Sequence, residues 1–228
     1  MKKLFSILVL MATSVGLTPQ ASASLILETY STGAATPGTI AGYTMTDFAF
    51  TASPSGTSTQ VAAPGDGFVE FSDYSNNSIA LSNNTADSTT WWNNGEASDY
   101  NIYTTEEHLI KLTLPTDTFA FSFNVGADLG STGNNAWLLA TETNGSGIDS
   151  QQWFNVNRSN TPGFGIYADN SNGSCSTITS ITIEPDYWGV GNFSISRGSC
   201  NNVPEPSIIA LFAAGLFGIG FARRRMRS

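Results

Sequence analysis

Short apolar runs with a period of two residues fill the central part of the chain, and they constrain its fold more than any other feature. Phe119, Phe121 and Phe123 alternate with Ala120 and Ser122. Similar runs rich in Thr, Ile, Val and Phe recur at intervals of roughly eight to twelve residues, separated by Gly, Asn or Pro. Such runs are typical of half-buried strands, and no segment has a convincing helical period. The predicted strands are Leu25 to Tyr30, Met45 to Thr51, Gly67 to Ser72, Ser78 to Leu81, His108 to Leu114, Thr118 to Val125, Ala136 to Thr143, Gln152 to Val156, Gly163 to Tyr167, Thr177 to Glu184 and Asn192 to Ser196. We therefore predict an all-β domain, an antiparallel, jelly-roll-like β-sandwich.

The last two predicted strands suggest a specific pairing. If they pair as a hairpin, Ile183 opposite Phe193 and Ile181 opposite Ile195 would place all four apolar side chains on one buried face. A bulge at Thr179-Ser180 would bring the preceding apolar residue back to the same face.

Two cysteines, Cys175 and Cys200, are the only ones in the chain. Counting past the predicted bulge places Ile178 opposite Arg197 and Cys175 opposite Cys200, which predicts a disulfide. A single pair of cysteines outside any Cys-x-x-Cys pattern fits an oxidising compartment better than redox or zinc chemistry. The bridge would stabilise the fold by roughly 3 to 4 kcal/mol in the chain-entropy model.

The first residues have the pattern of a signal peptide. Lys2 and Lys3 precede an apolar stretch that ends near Leu17, which is too short for a spanning helix. Ala21-Ser22-Ala23 supplies small residues at the two positions that signal peptidase requires. We predict a removable signal helix over residues 1–23, with cleavage before Ser24.

The other end of the chain combines three features in a fixed order. A Pro204-Glu205-Pro206 segment comes first, and the apolar, Gly- and Ala-rich stretch from Ile208 to Ala222 follows it. The two prolines keep the backbone around Glu205 extended, so the helix begins after them, at about Ser207. A cluster of basic side chains then ends the segment: Arg223, Arg224, Arg225 and Arg227.

This order of features resembles the PEP-CTERM sorting tail. The resemblance covers residues 203–228 and implies a partner, an exosortase-type membrane enzyme that cuts at the Pro-Glu-Pro motif. It also implies an exported protein that is released or displayed together with exopolysaccharide. A plain C-terminal membrane anchor would show the same hydropathy and charge pattern, and it is the alternative.

The charges near the tail predict its topology. A helix from Ile208 to Ala222 would cover roughly 22 Å, so it could cross the inner membrane only with local thinning or with Arg223 reaching the interface. By the positive-inside rule the arginines stay in the cytoplasm and act as the anchor. The preceding domain would then lie in the periplasm during transient anchoring, before it reaches the cell surface or the medium.

Between the two signals lies one predicted ectodomain, residues 24–202, followed by the sorting and anchor segment over 203–228. The ectodomain contains seventeen acidic residues but only Lys111, Arg158 and Arg197 as basic ones, which gives a formal charge of −14. So few cations could not replace the counterions of a nucleic acid, which excludes that partner class.

Catalytic residues are not evident in the ectodomain. His108 is the only histidine, and no Gly-x-Ser-x-Gly motif accompanies it, so we expect an exposed polar side chain. Glu96, Asp99, Glu106 and Glu107 are carboxylates of the kind that glycosidases use. Glu106 and Glu107 are neighbours and would point to opposite faces of a strand. We predict no catalytic residue and no required cofactor.

Asp169-Asn170-Ser171-Asn172-Gly173 has oxygen-bearing side chains at alternate positions before a glycine, as calcium loops do. The segment lacks the later bidentate Glu of an EF-hand. A turn between strands is the simpler interpretation, and calcium is the alternative.

Three tryptophans, Trp91, Trp92 and Trp188, fall in predicted loops beside Asn, Asp or Tyr. Indole rings stack on pyranose faces while polar neighbours bind the hydroxyls, so these residues are candidate glycan contacts. Trp91 or Trp92 could instead cap the core of the sandwich. The sequence thus predicts a non-enzymatic surface or matrix protein with weak affinity for extracellular polysaccharide. A secreted polysaccharide hydrolase is the alternative.

Overall fold

The computed structural model describes residues 24–31, 36–85, 100–127, 134–143, 147–148, 151–157, 161–170, 175–184 and 188–199. The predicted signal helix, the Pro-Glu-Pro motif, the C-terminal helix and the arginine cluster lie outside these residues. Within the described residues, no helix is long and apolar enough to cross a membrane.

All regular elements in the described part of the chain are strands. In chain order they are β1 Ser24–Tyr30, β2 Thr39–Ile40, β3 Tyr43–Thr44, β4 Thr46–Asp47, β5 Thr57–Ser58, β6 Gln60–Ala62, β7 Phe68–Ser72, β8 Leu81–Thr85, β9 Asn101–Thr105, β10 Ile110–Thr113, β11 Thr118–Ala127, β12 Asn134–Glu142, β13 Gln152–Val156, β14 Gly163–Asp169, β15 Ile178–Glu184 and β16 Trp188–Arg197.

Fourteen of these strands form two antiparallel sheets that pack face to face, and β2 and β3 pair separately as a short antiparallel ribbon. The eight-stranded sheet has the order β1-β14-β11-β16-β9-β8-β5, with β4 also paired to β16, and the six-stranded sheet has the order β13-β12-β15-β10-β7-β6. The strands from β9 onward give four-stranded sets in the orders β9-β16-β11-β14 and β10-β15-β12-β13. These are the strand orders of a jelly roll. The prediction of an antiparallel all-β sandwich is confirmed.

The core lies between the two sheets and is built by the period-two side chains. In the eight-stranded sheet Phe121 lies between Ile166 and Ile195, and all three are buried. In the six-stranded sheet Ile183 lies between Leu138 and Ile110, which are also buried. Each such side chain contributes roughly 1.5 to 3 kcal/mol when it leaves water, so this layer stabilises the sandwich.

A second, smaller cluster covers the outer face of the eight-stranded sheet. Ile40 and Met45 pack there on Ala120, beside Tyr43. Phe119 stacks on Tyr43 with ring centroids 5.8 Å apart. The segment from β2 to β4 therefore shields this face of the sheet.

Phe119 departs from the predicted alternation. The pairing of β11 with β16 shifts between Thr118 and Ala120, so Phe119 is an extra residue in the strand. Phe121 and Phe123 belong to the main core, as predicted, whereas Phe119 packs on Tyr43. The bulge changes the phase of the alternation, and the periodicity alone could not reveal it.

The predicted hairpin between the last two strands is wrong. Strand β15 pairs with β10 and β12 in the six-stranded sheet, whereas β16 pairs with β4, β9 and β11 in the eight-stranded sheet. Ile183 therefore partners Leu138 rather than Phe193, and Ile181 partners Ala140 rather than Ile195. The apolar side chains of β15 and β16 all face the shared core. The residue pattern therefore fits a hairpin as well as it fits two strands in opposite sheets.

The predicted bulge in β15 exists, but it lies opposite a different strand. Thr141 partners Ser180 and Glu142 partners Ile178, so Thr179 is the additional residue. The bulge places Ile178 on the buried face, as predicted.

Because the hairpin is wrong, the register that places Cys175 opposite Cys200 is wrong as well. Cys175 precedes β15 and Cys200 follows β16 along the chain, so a bridge would join the two sheets instead of closing a hairpin. Among the described residues no cysteine is free. Cys200 lies outside the described residues, and the bridge itself stays a prediction.

Candidate functional site

The outer face of the six-stranded sheet carries two tryptophans side by side. Trp137 of β12 and Trp153 of β13 are directly opposite each other in the antiparallel register. The side chain of Trp153 is 65% exposed, and that of Trp137 is half-buried. Because β13 is the last strand of this sheet, the pair lies at the edge of the sandwich.

The alternation of side chains explains why both indoles face outward. Ala136 and Leu138, on either side of Trp137, are buried in the core. Phe154, next to Trp153, packs on Phe164 of the opposite sheet with ring centroids 4.7 Å apart. Since successive residues of a strand point to opposite faces, the core contacts of these neighbours turn both tryptophans away from the core.

Polar side chains surround the two indoles on the same face. Asn135 and Asn155 are both exposed, and they form the next outward pair along β12 and β13. Glu184 of β15 lies opposite Trp137 on its other side. The two asparagines supply amide donors and acceptors on the same strands as the rings, and Glu184 supplies a carboxylate on the adjacent strand.

Toward the middle of the sheet the face continues with two neutral side chains and one lysine. Leu139 of β12 lies opposite Thr182 of β15, and Thr182 lies opposite Lys111 of β10. The Nζ of Lys111 donates a hydrogen bond to the Oδ1 of Asn76 over 2.9 Å. The single cation of this row is therefore engaged with a neutral amide.

A buried carboxylate lies at one end of the six-stranded sheet. The Oε2 of Glu142 accepts a hydrogen bond from the Ser176 hydroxyl over 2.5 Å, and its Oε1 accepts one from the Gly147 amide over 3.2 Å. Ser176 is fully buried, and 9% of Glu142 is exposed. These contacts fix the loop before β15 against the end of β12.

The opening of the candidate calcium loop is tied to the same serine. The Oδ1 of Asn170 accepts a hydrogen bond from the Ser176 amide over 2.9 Å, and its Nδ2 donates one to the Ser176 carbonyl over 3.2 Å. Residues 171–174 lie outside the described part of the chain. In the part that the structure does describe, no group of three or more His, Cys, Asp or Glu could hold a metal ion. Calcium binding stays a prediction.

Tyr30 and Tyr103 have pKa values that their surroundings raise. Burial, followed by the hydrogen bond that the Tyr30 hydroxyl donates to Glu28, raises the pKa of Tyr30 well above its usual range. Burial raises the pKa of Tyr103 to about 12. Both groups stay protonated at neutral pH, so neither supplies a base there.

One exposed carboxyl is perturbed in the opposite direction. Asp73 accepts hydrogen bonds from the Asn77 side chain and from its backbone amide, each over 2.8 Å, and these bonds lower the pKa of Asp73. The arrangement closes the turn after β7 and is structural.

The remaining predicted site residues fall in three groups. The prediction that Trp188 lies in a loop is wrong, because Trp188 begins β16 and partners Ala127 and Thr105. His108 is exposed as predicted, and Glu106 and Glu107 are exposed as well. The other candidates lie outside the described residues, namely Trp91, Trp92, Glu96, Asp99, Pro204, Glu205, Pro206 and the four arginines.

Sequence reasoning missed Trp137 and Trp153 as candidate contacts, although a signal was present. Each tryptophan alternates with core residues in a predicted strand, so it shares a face with the polar neighbours two positions away. What the sequence could not provide is the pairing of β12 with β13, which brings the two rings together.

Comparison with known protein families gives a match in the C-terminal segment of the chain. No curated protein matches the sequence significantly. A family model described as the PEP-CTERM protein-sorting motif matches residues 202–225, which include the Pro-Glu-Pro segment, the apolar stretch and three of the four arginines. The match agrees with the order of features in this segment, and the chain carries a PEP-CTERM protein-sorting motif.

Proposed function

We propose that this chain is a non-enzymatic cell-surface or extracellular-matrix protein, which is exported, sorted through residues 202–225 and associated with exopolysaccharide. The match to the PEP-CTERM protein-sorting motif is the observation that carries the proposal. The motif implies an exported protein that is transiently anchored in the membrane and processed there by an exosortase. The nucleophile for that processing belongs to the enzyme, so this chain is its substrate.

The chemistry of the tail supports processing at the Pro-Glu-Pro segment. Pro204 and Pro206 restrict the backbone around Glu205 to extended conformations, and an extended segment is accessible to a cleaving enzyme. The arginines after Ala222 favour the cytoplasmic side, so the cleavable segment would lie on the outer side of the inner membrane.

The start of the domain supports removal of the signal peptide. Strand β1 begins at Ser24, which pairs with Asp169 at the far end of β14. Signal peptidase cleavage before Ser24 would therefore leave every residue of β1 in the mature domain. The acidic composition of residues 24–202 also suits a soluble domain outside the cytoplasm.

The alternative function, a secreted hydrolase acting on polysaccharide, requires two carboxylates that flank one glycosidic bond. Glu106 and Glu107 are adjacent and exposed, and Glu142 is tied to Ser176 and Gly147. A reducing-sugar assay on any bound polysaccharide separates the two functions, because product formation would favour the hydrolase.

The sorting step can be tested in cells that produce an exosortase and in a matched strain without it. With an epitope tag after Ser24, the wild-type protein should be shorter in the producing strain, and the longer, membrane-retained form should accumulate in the other. Changing Pro204, Glu205 and Pro206 together to Ala should produce the longer form in both strains. The Ser207→Ala variant is the matched control and should be processed normally. Equal mobility in the two strains would contradict the proposal.

A further inference from the structure

We propose that the outer face of the six-stranded sheet binds a neutral glycan chain through Trp137 and Trp153. This inference rests on the proposed function, because it takes the protein to meet polysaccharide outside the cell. It assigns the contact to a pair of indoles on the sheet and not to Trp91, Trp92 or Trp188.

The placement of the two rings fits a sugar chain. Trp137 and Trp153 lie on adjacent strands, so their backbones are roughly 5 Å apart. Both side chains project from one pleated surface, on the last two strands of the sheet that the described residues form. Apolar pyranose faces stack on indole rings, and two neighbouring rings can contact successive parts of one glycan.

The polar groups around the rings fit hydroxyl recognition. Asn135 and Asn155 lie on one side of the tryptophan pair, and Glu184 lies beside Trp137 on the next strand. Amides donate and accept hydrogen bonds, and a carboxylate accepts them, so the set matches the mixed donors and acceptors of sugar hydroxyls.

Charge excludes the polyanionic glycans from this proposal. The residues between the two signals carry a formal charge of −14, and Glu184 adds a negative group directly to the face. An anionic polymer would be repelled as it approached, whereas a neutral chain would not.

The size of the patch argues against a second protein as the occupant. Each tryptophan can bury about 150 to 250 Å², and Trp137 is already half-buried. A stable protein interface needs about 1,200 Å² or more in total, or roughly 600 Å² from each partner, which is more than the exposed parts of the two rings supply. A glycan chain a few sugars long needs a much smaller area.

Affinity electrophoresis of the full-length protein tests the assignment. The protein is solubilised in a detergent without a sugar headgroup and run in gels that contain hydroxyethylcellulose, dextran, mannan or alginate. We expect retardation by at least one of the three neutral polymers and none by alginate. Trp153→Ala and Trp137→Ala should each weaken this retardation at least roughly fivefold.

Phe50→Ala is the matched control, because Phe50 is an aromatic residue, 44% exposed, that follows β4, a strand of the eight-stranded sheet. Its retardation should equal that of the wild type. Because Trp153 is largely exposed, its variant should keep the circular dichroism spectrum and thermal midpoint of the wild type, which separates lost binding from lost folding.

Three results would overturn the inference: no retardation of the wild type by any neutral polymer, equal retardation of wild type and Trp153→Ala, or retardation by alginate alone. A change in oligomeric state on Trp153→Ala, measured by analytical ultracentrifugation, would assign the face to a second copy and also overturn it. The assay uses purified protein, so its failure is distinct from a failure of sorting in cell fractions.

Discussion

The hydroxyls of Ser122 and Ser194 are hydrogen-bonded to each other over 2.7 Å within the eight-stranded sheet. Both side chains are buried, at 1% and 0% exposure. They lie opposite each other on β11 and β16. Each hydroxyl thus replaces a hydrogen bond to water that the other loses on burial, at a point where β11 and β16 pair.

Removing one hydroxyl of this pair should cost more than removing both. Ser194→Ala leaves the Ser122 hydroxyl buried without this partner, so we expect a loss of about 1 to 3 kcal/mol in the free energy of unfolding. The double variant Ser122→Ala, Ser194→Ala should recover part of that loss. Urea unfolding of the three variants measures the coupling, and strictly additive losses would contradict it.

A side chain at position 191 should not be tolerated. A Cβ on Gly191 would lie 2.5 Å from the Asn101 carbonyl oxygen and 2.6 Å from the Cγ2 of Ile102. Gly191→Ala must therefore push β16 away from β9, at a cost of about 1 to 3 kcal/mol or more.

Gly38→Ala is the control for this substitution, because a Cβ there would meet nothing within 4 Å. Its stability should stay within about 0.5 kcal/mol of the wild type. Thermal or urea unfolding of both variants gives the comparison, and equal effects would argue against the close approach at Gly191.

Alkaline pH should destabilise the fold through Tyr103. The ring stacks on Phe193 with centroids 5.6 Å apart, and burial raises the pKa of Tyr103 to about 12. Since an unfolded tyrosine titrates near pH 10, the stabilising effect is fully present below pH 10 and is lost as the pH rises from 10 to 12.

Tyr103→Phe should therefore flatten the decline of stability over this range, although Tyr30 contributes in the same direction. Tyr74→Phe, at a side chain 79% exposed, should leave the curve unchanged. The test is denaturant unfolding at several pH values between 9 and 12. An identical pH slope for wild type and Tyr103→Phe would disprove the assignment.

The predicted disulfide has a direct test in the purified protein. Alkylation without reduction should label neither Cys175 nor Cys200, and reduction should expose both. Loss of the bridge in Cys175→Ser should lower the free energy of unfolding by roughly 3 to 4 kcal/mol in the chain-entropy model. Labelling of both thiols before reduction would rule the bridge out.

The strands with strong alternation could be predicted from the sequence, because their burial pattern is local. Gln152–Val156 was predicted at the bounds that it has, and β11, β12 and β14 were predicted with small errors at their ends. Strand β9 was missed because Asn101–Thr105 contains only two apolar residues, Ile102 and Tyr103. The prediction from Ser78 to Leu81 was largely wrong, because β8 begins only at Leu81.

Pairing between strands could not be read from the same pattern. An inward-facing isoleucine in β15 fits any neighbour that also faces the core, so the sequence could not distinguish a β15-β16 hairpin from two strands in opposite sheets. The tryptophan pair could not be predicted for the same reason. Each tryptophan is visible in the sequence, but their position opposite each other depends on the register between β12 and β13. The sorting motif could be recognised because its three parts are contiguous in the chain.

Export and processing at both ends of the chain can be checked by mass spectrometry of the protein recovered from the surface or medium of an exosortase-producing strain. We expect a first residue of Ser24 and a last residue within or just before the Pro204-Glu205-Pro206 segment. Recovery of a chain that still carries the apolar stretch and Arg223 to Arg227 would contradict it.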